Sequence, residues 1–302
     1  MIFNSLAFVS SCLIYYLLRR HYVTKFTQPQ RELLSSSKEK AKMKPIPCAG
    51  IVFFIVFAIY SLVQGQIDYK FFTLLGFFLI GLLDDVGKIW KKSHISFFSG
   101  KWRILVEIII STFFIYNLLN GESYILIVKD FVFVIPLWFA VPILAFIIIG
   151  TANAVNLTDG QDALAGKVVL VNLFFLLALF GINGSILLLI FLILAFLLFN
   201  TKPATIYMGD SGSLFLGAFL AIFFITHKIE AFLPVTGIVF VLEALSVILQ
   251  VCYFKLTKRR MFKMSPLHHH FELLGVSEEK TVNLAFVVTI LASFAAFFVI
   301  TL

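Results

Sequence analysis

Two adjacent carboxylates, Asp84 and Asp85, end an apolar run in the stretch GLLDDVGKIWKK. Like charges this close repel each other unless a cation lies near them. Lys88 follows one helical turn later, so its ammonium is expected to balance part of the negative charge. The stretch therefore predicts either a cation-dependent site or a solvated helix end with an ordinary salt bridge.

Amides and carboxylates recur every three residues in the stretch TANAVNLTDGQDALAG, at Asn153, Asn156, Asp159 and Asp162. On a helix this spacing makes a slowly drifting polar stripe. Such groups suit magnesium, sugar hydroxyls or the edge of a nucleobase. A binding site is favoured over a plain polar loop, because polar groups wedged between membrane-length apolar runs are costly.

A further carboxylate, Asp210, stands between glycines in the stretch YMGDSGSLFLG, just before another apolar run. This arrangement predicts a carboxylate and free backbone N–H groups at a helix N-terminus, where phosphate also binds well. The alternative is a plain helix cap assisted by Ser211 and Ser213.

Three consecutive histidines, His268, His269 and His270, follow the basic stretch KRRMFKM. Neighbouring residues on a helix are rotated by about 100°, so the three cannot share one face. Without a cysteine cluster, and with acids elsewhere that favour a hard cation, zinc is disfavoured. We expect the imidazoles to donate hydrogen bonds to a phosphate or pyrophosphate. The alternative is a run of surface histidines with no binding role.

The elements that must position these residues are long apolar runs. The chain has 302 residues, is 61% hydrophobic and contains 37 Phe, which no soluble surface accommodates. Runs of about 17 to 23 residues match a helix that crosses a bilayer. The sequence predicts an all-α, polytopic membrane protein that forms one domain over residues 1–302. Ten spans are expected, at 2–18, 46–64, 69–83, 104–119, 130–150, 164–180, 184–200, 212–227, 232–254 and 282–301.

The positive charges indicate an orientation. All 24 Lys and Arg residues except Lys70, Lys129 and Lys228 fall in alternate loops. By the positive-inside rule these loops face the cytoplasm and both termini face outside. The net charge of +8 is therefore mostly an orientation signal, and no nucleic-acid partner is expected. The five loops are 19–45, 84–103, 151–167, 200–211 and 255–281.

Two carboxylates fall at or within apolar runs. Glu107 lies near the start of the fourth span, and Glu243 lies in the 232–254 run, seven residues before Gln250. That spacing places Glu243 and Gln250 near one helical face. Both glutamates are expected in the bundle interior, either as functional groups or as satisfied structural ones.

The stretches DDVGK, NAVNLTDGQDALAG, YMGDSGSLFLG, EALSVILQVCYFK and MSPLHHHFE occur in this order. Together they resemble the polyprenyl-phosphate N-acetylhexosamine-1-phosphate transferase superfamily, and PLHHHFE points to its muramoyl branch. The resemblance implies ten transmembrane helices in the bacterial cytoplasmic membrane, with the active site open to the cytoplasm. It implies Mg²⁺-dependent transfer of phospho-N-acetylmuramoyl-pentapeptide from its UDP carrier to undecaprenyl phosphate, with release of UMP. The family often dimerises, which leaves a homodimer open.

The resemblance also implies roles for individual residues. Asp84, Asp85, Asp210 and His268 would be catalytic, and Mg²⁺ would be held by Asp210 and Asn156. The substrate would be bound by Lys88, Lys101, Asn153, Asn156, Asp159, Asp162, Tyr207, His269 and His270. The stretch KPIPCAGI at 44–51 departs from the family's usual Thr-Pro-Thr-Met-Gly-Gly, which leaves any phosphate contact from that loop open. Direct attack by the lipid phosphate and a two-step route through an aspartyl-phosphate are both chemically compatible with these residues.

Two other functions stay open. A sister transferase that uses UDP-N-acetylglucosamine would share most of these motifs, and a substrate panel separates the two. A transporter is disfavoured, because transporters place polar groups near the membrane midplane and often show inverted repeats. Here the acids gather at one edge and no repeat is seen.

Overall fold

The computed structural model describes residues 2–22, 46–47, 49–91, 99–128 and 131–302, and most of these are helical. The basic stretch 23–45 and Lys129 therefore lie outside the described residues. Two short helices are α9 (Leu233–Thr236) and α11 (Leu267–Leu273). The long helices are α1 (Ile2–Tyr22), α2 (Ala49–Val63), α3 (Tyr69–Lys91), α4 (Gly100–Leu119), α5 (Leu137–Thr158), α6 (Leu164–Phe180), α7 (Gly184–Asn200), α8 (Gly209–Thr226), α10 (Ile238–Thr257) and α12 (Glu278–Thr301).

Within the described ranges, five helices are long and apolar enough to cross a membrane, namely α4, α5, α8, α10 and α12. The helices α2, α6 and α7 are apolar but shorter. Large apolar side chains stay exposed on the outer surface, among them Ile109, Phe146, Leu249 and Leu291. A surface of this kind suits contact with lipid rather than water. The prediction of a mostly helical protein with membrane-capable helices is confirmed.

Helix α8 lies at the centre of the bundle. Of its most apolar 18-residue window, 83% is buried, and α2, α3 and α5 pack around it. A Cβ atom added at Gly81 of α3 would lie 2.3 Å from the carbonyl oxygen of Asp210. The missing side chain therefore lets α3 approach the first turn of α8, and this approach brings the acidic end of α3 to Asp210.

Several residues expected in loops are helical. Helix α3 continues to Lys91 and so contains Asp84 and Asp85, while α5 continues to Thr158 and α8 already begins at Gly209. The loop assignments for these residues were wrong. The predicted spans end where the first charged residues interrupt the apolar run. The helices extend further, because helical hydrogen bonding continues through any residue that tolerates helical dihedrals.

The described residues also contain four short strands, so the all-α prediction holds as a mostly helical fold. Strand β1 (Ile46–Pro47) pairs in parallel with β4 (Ile206–Tyr207), and β2 (Tyr124–Val128) pairs antiparallel with β3 (Phe131–Ile135). The predicted span 130–150 therefore begins as a strand. Its residues FVFVI are β-branched and aromatic, which favours a strand, but hydropathy cannot distinguish a short apolar strand from a helix.

Candidate active site

A carboxylate from α3 holds the first turn of α8. Asp85 Oδ1 accepts the backbone N–H of Asp210 at 2.9 Å, and its Oδ2 accepts the N–H and the hydroxyl of Ser211 at 2.9 and 2.7 Å. The first N–H groups of a helix lack intrahelical acceptors and carry the positive end of the helix dipole, so they favour a carboxylate. Asp85 therefore fixes the position of Asp210, and both its oxygens have protein partners.

Lys88 forms its ion pair across two helices. Its Nζ lies 2.5 Å from Asp210 Oδ2. The expectation of an ion pair along α3, with Asp84 and Asp85, is therefore corrected in favour of Asp210. The reason is tertiary: the close approach of α3 and α8 puts the Asp210 carboxylate within reach of the lysine.

A buried network surrounds Asp84. The guanidinium of Arg103 donates to Asp84 Oδ2 at 3.2 Å, to Glu107 Oε1 at 3.1 Å and to Asn153 Oδ1 at 2.9 Å. Asn153 Nδ2 donates in turn to Glu107 Oε2 at 2.8 Å. The Asp84 and Glu107 side chains are 0% exposed, so one arginine joins α3, α4 and α5 and forms ion pairs with both buried carboxyl groups.

Sequence reasoning placed Glu107 in the interior but did not single out Arg103. The available signal was the spacing of the two residues, four apart on one helix, which favours an ion pair. It could not identify Asp84 and Asn153 as further partners, because these belong to other helices.

The four polar residues that repeat every three positions do not share one face. Helix α5 ends at Thr158, so only Asn153 and Asn156 lie on it. Asn153 faces α4, whereas Asn156 faces α8 and donates from Nδ2 to Ser213 Oγ at 2.9 Å. The predicted stripe therefore divides into separate contacts.

Asp162 takes part in a network beyond the turn. Its Oδ2 accepts the N–H of Ala204 at 3.0 Å, and its own N–H donates to Glu278 Oε1 at 2.9 Å. Lys202 Nζ lies 3.5 Å from the other oxygen of Glu278. Asp162 thus ties the start of α6 to the 202–204 segment and to α12.

Asp159 lies directly after α5 and close to the α8 cluster. Burial raises the pKa of its carboxyl well above the usual range, and the charges of Asp210 and Asp85 raise it further, while Lys88 opposes them. The C-terminal end of α5 adds negative potential at the same place. Three carboxyl groups, those of Asp85, Asp159 and Asp210, therefore lie near the single ammonium of Lys88.

A carboxylate from α10 holds His268 in place by hydrogen bonds. Its backbone N–H donates to Glu243 at 3.2 and 3.3 Å, and its Nδ1 lies 3.1 Å from Glu243 Oε2. Because a carboxylate only accepts, this contact places a proton on Nδ1. His268 is 1% exposed, and its Nε2 has no hydrogen-bond partner among the described residues. Glu243 is thus an interior residue with a specific partner, as its position in an apolar run predicted.

The other two histidines have separate surroundings. His269 Nδ1 lies 3.5 Å from Glu272 Oε2, and its ring packs on His268 with centroids 4.1 Å apart. His270 Nδ1 accepts the backbone N–H of Lys263 at 3.1 Å. The three rings therefore point to different neighbours, as expected for consecutive positions on a helix.

Gly160 faces the free nitrogen of His268. A Cβ atom added at Gly160 would lie 2.2 Å from His268 Nε2, so the turn after α5 and the ring are in close contact. This contact connects the histidine segment to the residue next to Asp159.

We expect Gly160→Ala to lower UMP release, the activity that the resemblance implies, at least tenfold, because the methyl group must displace either the His268 ring or the turn that carries Asp159. Overpacking of this kind costs about 1–3 kcal/mol. UMP release and thermal unfolding in detergent measure the two effects. The control is Gly150→Ala on α5, where an added Cβ meets nothing within 4 Å. Equal activity of both variants would show that the close contact has no role.

Two further predicted residues lie on α4 and on β4. Lys101 is exposed in the first turn of α4. Tyr207 is half-buried on β4, opposite Pro47 of β1, and Gly50 N–H donates to the Met208 carbonyl at 3.0 Å. The described part of the divergent 44–51 stretch is thus adjacent to the strand that leads into Asp210.

The residues fit Mg²⁺ by their donor chemistry. In the described part of the chain, no group of three or more His, Cys, Asp or Glu side chains could hold a metal ion alone. Mg²⁺ usually binds one or two carboxylates together with substrate phosphates and water, rather than a cage made of protein. Asp210, Asn156 and Asp159 offer oxygens of that type at the start of α8 and the end of α5.

The structure is a mostly helical, membrane-capable protein with a cluster of acidic residues at the start of α8, and the glycosyl transferase family 4 profile matches residues 67–228. A relative named phospho-N-acetylmuramoyl-pentapeptide-transferase from Caldanaerobacter subterraneus is 36% identical over 293 residues, which cover 91% of this chain and 90% of the relative. Relatives of the same name from Clostridium perfringens (strain 13) and Oceanobacillus iheyensis are 39% and 38% identical. They cover 90% and 88% of this chain, and 89% and 86% of their own lengths. The chain belongs to the phospho-N-acetylmuramoyl-pentapeptide-transferase family.

Proposed function

We propose that this protein transfers phospho-N-acetylmuramoyl-pentapeptide from its UDP carrier to undecaprenyl phosphate. The products are UMP and the lipid-linked sugar known as lipid I, a precursor of peptidoglycan. The observation that carries the proposal is the Asp85–Asp210–Lys88 arrangement at the start of α8. It lies beside the Asp159 turn, in a chain that matches transferases of this name over about nine tenths of its length.

The proposed setting is the bacterial cytoplasmic membrane. Ten spans with both termini outside would place the site at the cytoplasmic mouth, where a soluble UDP-sugar and a membrane lipid can meet. The support is the distribution of Lys and Arg, which follows the positive-inside rule, together with long helices that coincide with most of each predicted span. The bound substrates would thus come from water and from lipid at one membrane face.

In the proposed reaction, an oxygen of the lipid phosphate attacks the sugar-linked phosphorus, and the bond from that phosphorus to UMP breaks. Mg²⁺ on Asp210 and Asn156 would neutralise charge on the diphosphate and on the leaving UMP. The second pKa of a phosphate monoester is about 6, so the attacking phosphate is largely ionised near neutral pH and needs no strong base. Direct attack is favoured over an aspartyl-phosphate, because Asp84 and Asp85 already serve Arg103 and α8.

The other residues would bind and orient the substrates. Tyr207 is an aromatic able to stack on uracil. His268 is held by Glu243 with its Nε2 toward the Asp159 turn, and it would serve the phosphate end of the site. The remaining proposed substrate residues are Lys88, Lys101, Asn153, Asp159, Asp162, His269 and His270.

The test is UMP release by the purified full chain in detergent, with undecaprenyl phosphate and Mg²⁺. We expect release with UDP-N-acetylmuramoyl-pentapeptide and at least 100-fold less with UDP-N-acetylglucosamine. Release with the second sugar alone would move the protein to the sister branch and direct attention to the divergent 44–51 stretch. Release with neither sugar, from protein shown to be folded, would contradict the proposal.

A further inference from the structure

We propose that Lys88 is a built-in counter-cation that shields Asp210 until Mg²⁺ binds, and that Lys88 then leaves Asp210 to contact the substrate diphosphate. This inference rests on the proposed function, because it takes Asp210 as the metal-binding carboxylate. It adds a defined exchange: one lysine alternates between a carboxylate and a phosphate.

The contact with Asp210 is the first observation. Lys88 Nζ lies 2.5 Å from Asp210 Oδ2, with the two side chains 18% and 16% exposed. The ammonium therefore contacts one of the two carboxylate oxygens that Asp210 could offer to a metal ion. A mostly buried carboxylate and lysine at this distance hold each other more strongly than a surface pair does.

The position of the other acids is the second observation. Asp85 uses both oxygens on the N–H groups and hydroxyl at the start of α8, which leaves it poorly suited to bind a metal in this arrangement. The charge of Asp210 raises the pKa of the Asp159 carboxyl and the charge of Lys88 lowers it, so Asp159 belongs to the same group of charged side chains. Of these carboxyl groups, Asp210 is the one whose contact is a single flexible lysine, so a divalent ion would compete with Lys88 at Asp210.

The chemistry of lysine makes the exchange feasible. Its ammonium is a compact point charge on a flexible four-carbon stem. Lysine is also a common phosphate ligand. The flexible stem would allow the ammonium to turn from Asp210 to a phosphate oxygen by side-chain rotation. Arginine, with its planar fork, would keep a carboxylate partner more firmly.

The competition is measured without substrate, by Mn²⁺ binding to the detergent-solubilised full chain with electron paramagnetic resonance. Lys88→Gln is expected to tighten Mn²⁺ binding by roughly 3- to 10-fold, because the competing cation is gone. Lys88→Arg is expected to leave binding equal or weaker. The matched control is Lys255→Gln, an exposed lysine in the last turn of α10, which should not change binding.

The phosphate half of the exchange is measured by the KM for the UDP substrate. Lys88→Gln is expected to raise this KM at least tenfold, although it binds the metal more tightly. Opposite changes in the two affinities are not expected from a purely structural lysine. Unchanged or weaker Mn²⁺ binding in Lys88→Gln, or an unchanged KM, would overturn the inference.

Asp210→Asn separates this inference from the proposed function. Its Mn²⁺ affinity should fall strongly. If it does fall while Lys88→Gln shows no tightening, only the exchange is overturned. If Asp210→Asn binds Mn²⁺ as well as the original protein, both the metal role of Asp210 and the exchange are wrong.

Discussion

Asp210→Asn is expected to lower UMP release by about 10³-fold or more at saturating Mg²⁺. A metal held at a transferring phosphoryl group stabilises transition-state charge by several kcal/mol, and each 1.36 kcal/mol corresponds to a factor of ten in rate. The amide keeps the size of the side chain and the backbone N–H that Asp85 accepts. The fold should therefore persist while the proposed anionic metal ligand is lost.

The matched control for this variant is Glu122→Gln, an exposed acid after α4, which should release UMP at the original rate. Thermal unfolding in detergent checks that Asp210→Asn stays folded. Loss of activity by less than tenfold, in folded protein with Mg²⁺ present, would contradict a catalytic role for Asp210.

Arg103→Met is expected to destabilise the protein by about 3–5 kcal/mol and to lower activity with it. The arginine is the charged partner of Asp84 and Glu107, whose side chains are 0% exposed. Removal of one member of a buried ion network leaves uncompensated charge in a dry interior. A large fall in the thermal unfolding temperature in detergent is the measurement.

Neutral replacements of the two carboxylate partners should restore stability to this variant. Adding Asp84→Asn and Glu107→Gln to Arg103→Met removes the stranded charges, and we expect at least half of the lost stability to return. Arg259→Met, an exposed arginine after α10, is the matched control and should unfold at the original temperature. Failure of the neutral partners to restore any stability would show that Arg103 acts through packing rather than charge.

Much of the architecture could be predicted from the sequence. Apolar runs of membrane length determine helices, because a backbone in lipid must satisfy its own hydrogen bonds. Each predicted span overlaps a long helix that the structure describes. The ends of the predicted spans differ from the observed elements: α3 passes through Asp84 and Asp85, and residues 131–135 form a strand. The reason is that hydropathy reports burial rather than dihedral angles.

The motif residues and the family resemblance were also available from the sequence, and the relatives confirm that resemblance. Residue types within one segment show which chemistry is present. They do not show which segments meet, since contacts between helices depend on packing of the whole bundle.

The sequence by itself determined a helical membrane-type chain, its family, and the acids, amides and histidines that are candidates for the site. Only the tertiary structure decided their partners. In the structure Lys88 pairs with Asp210, Arg103 with Asp84, and Glu243 with His268. The physical reason is that each pair joins different helices, at sites where a close approach, such as that of Gly81 to α8, sets which charges come within bonding distance.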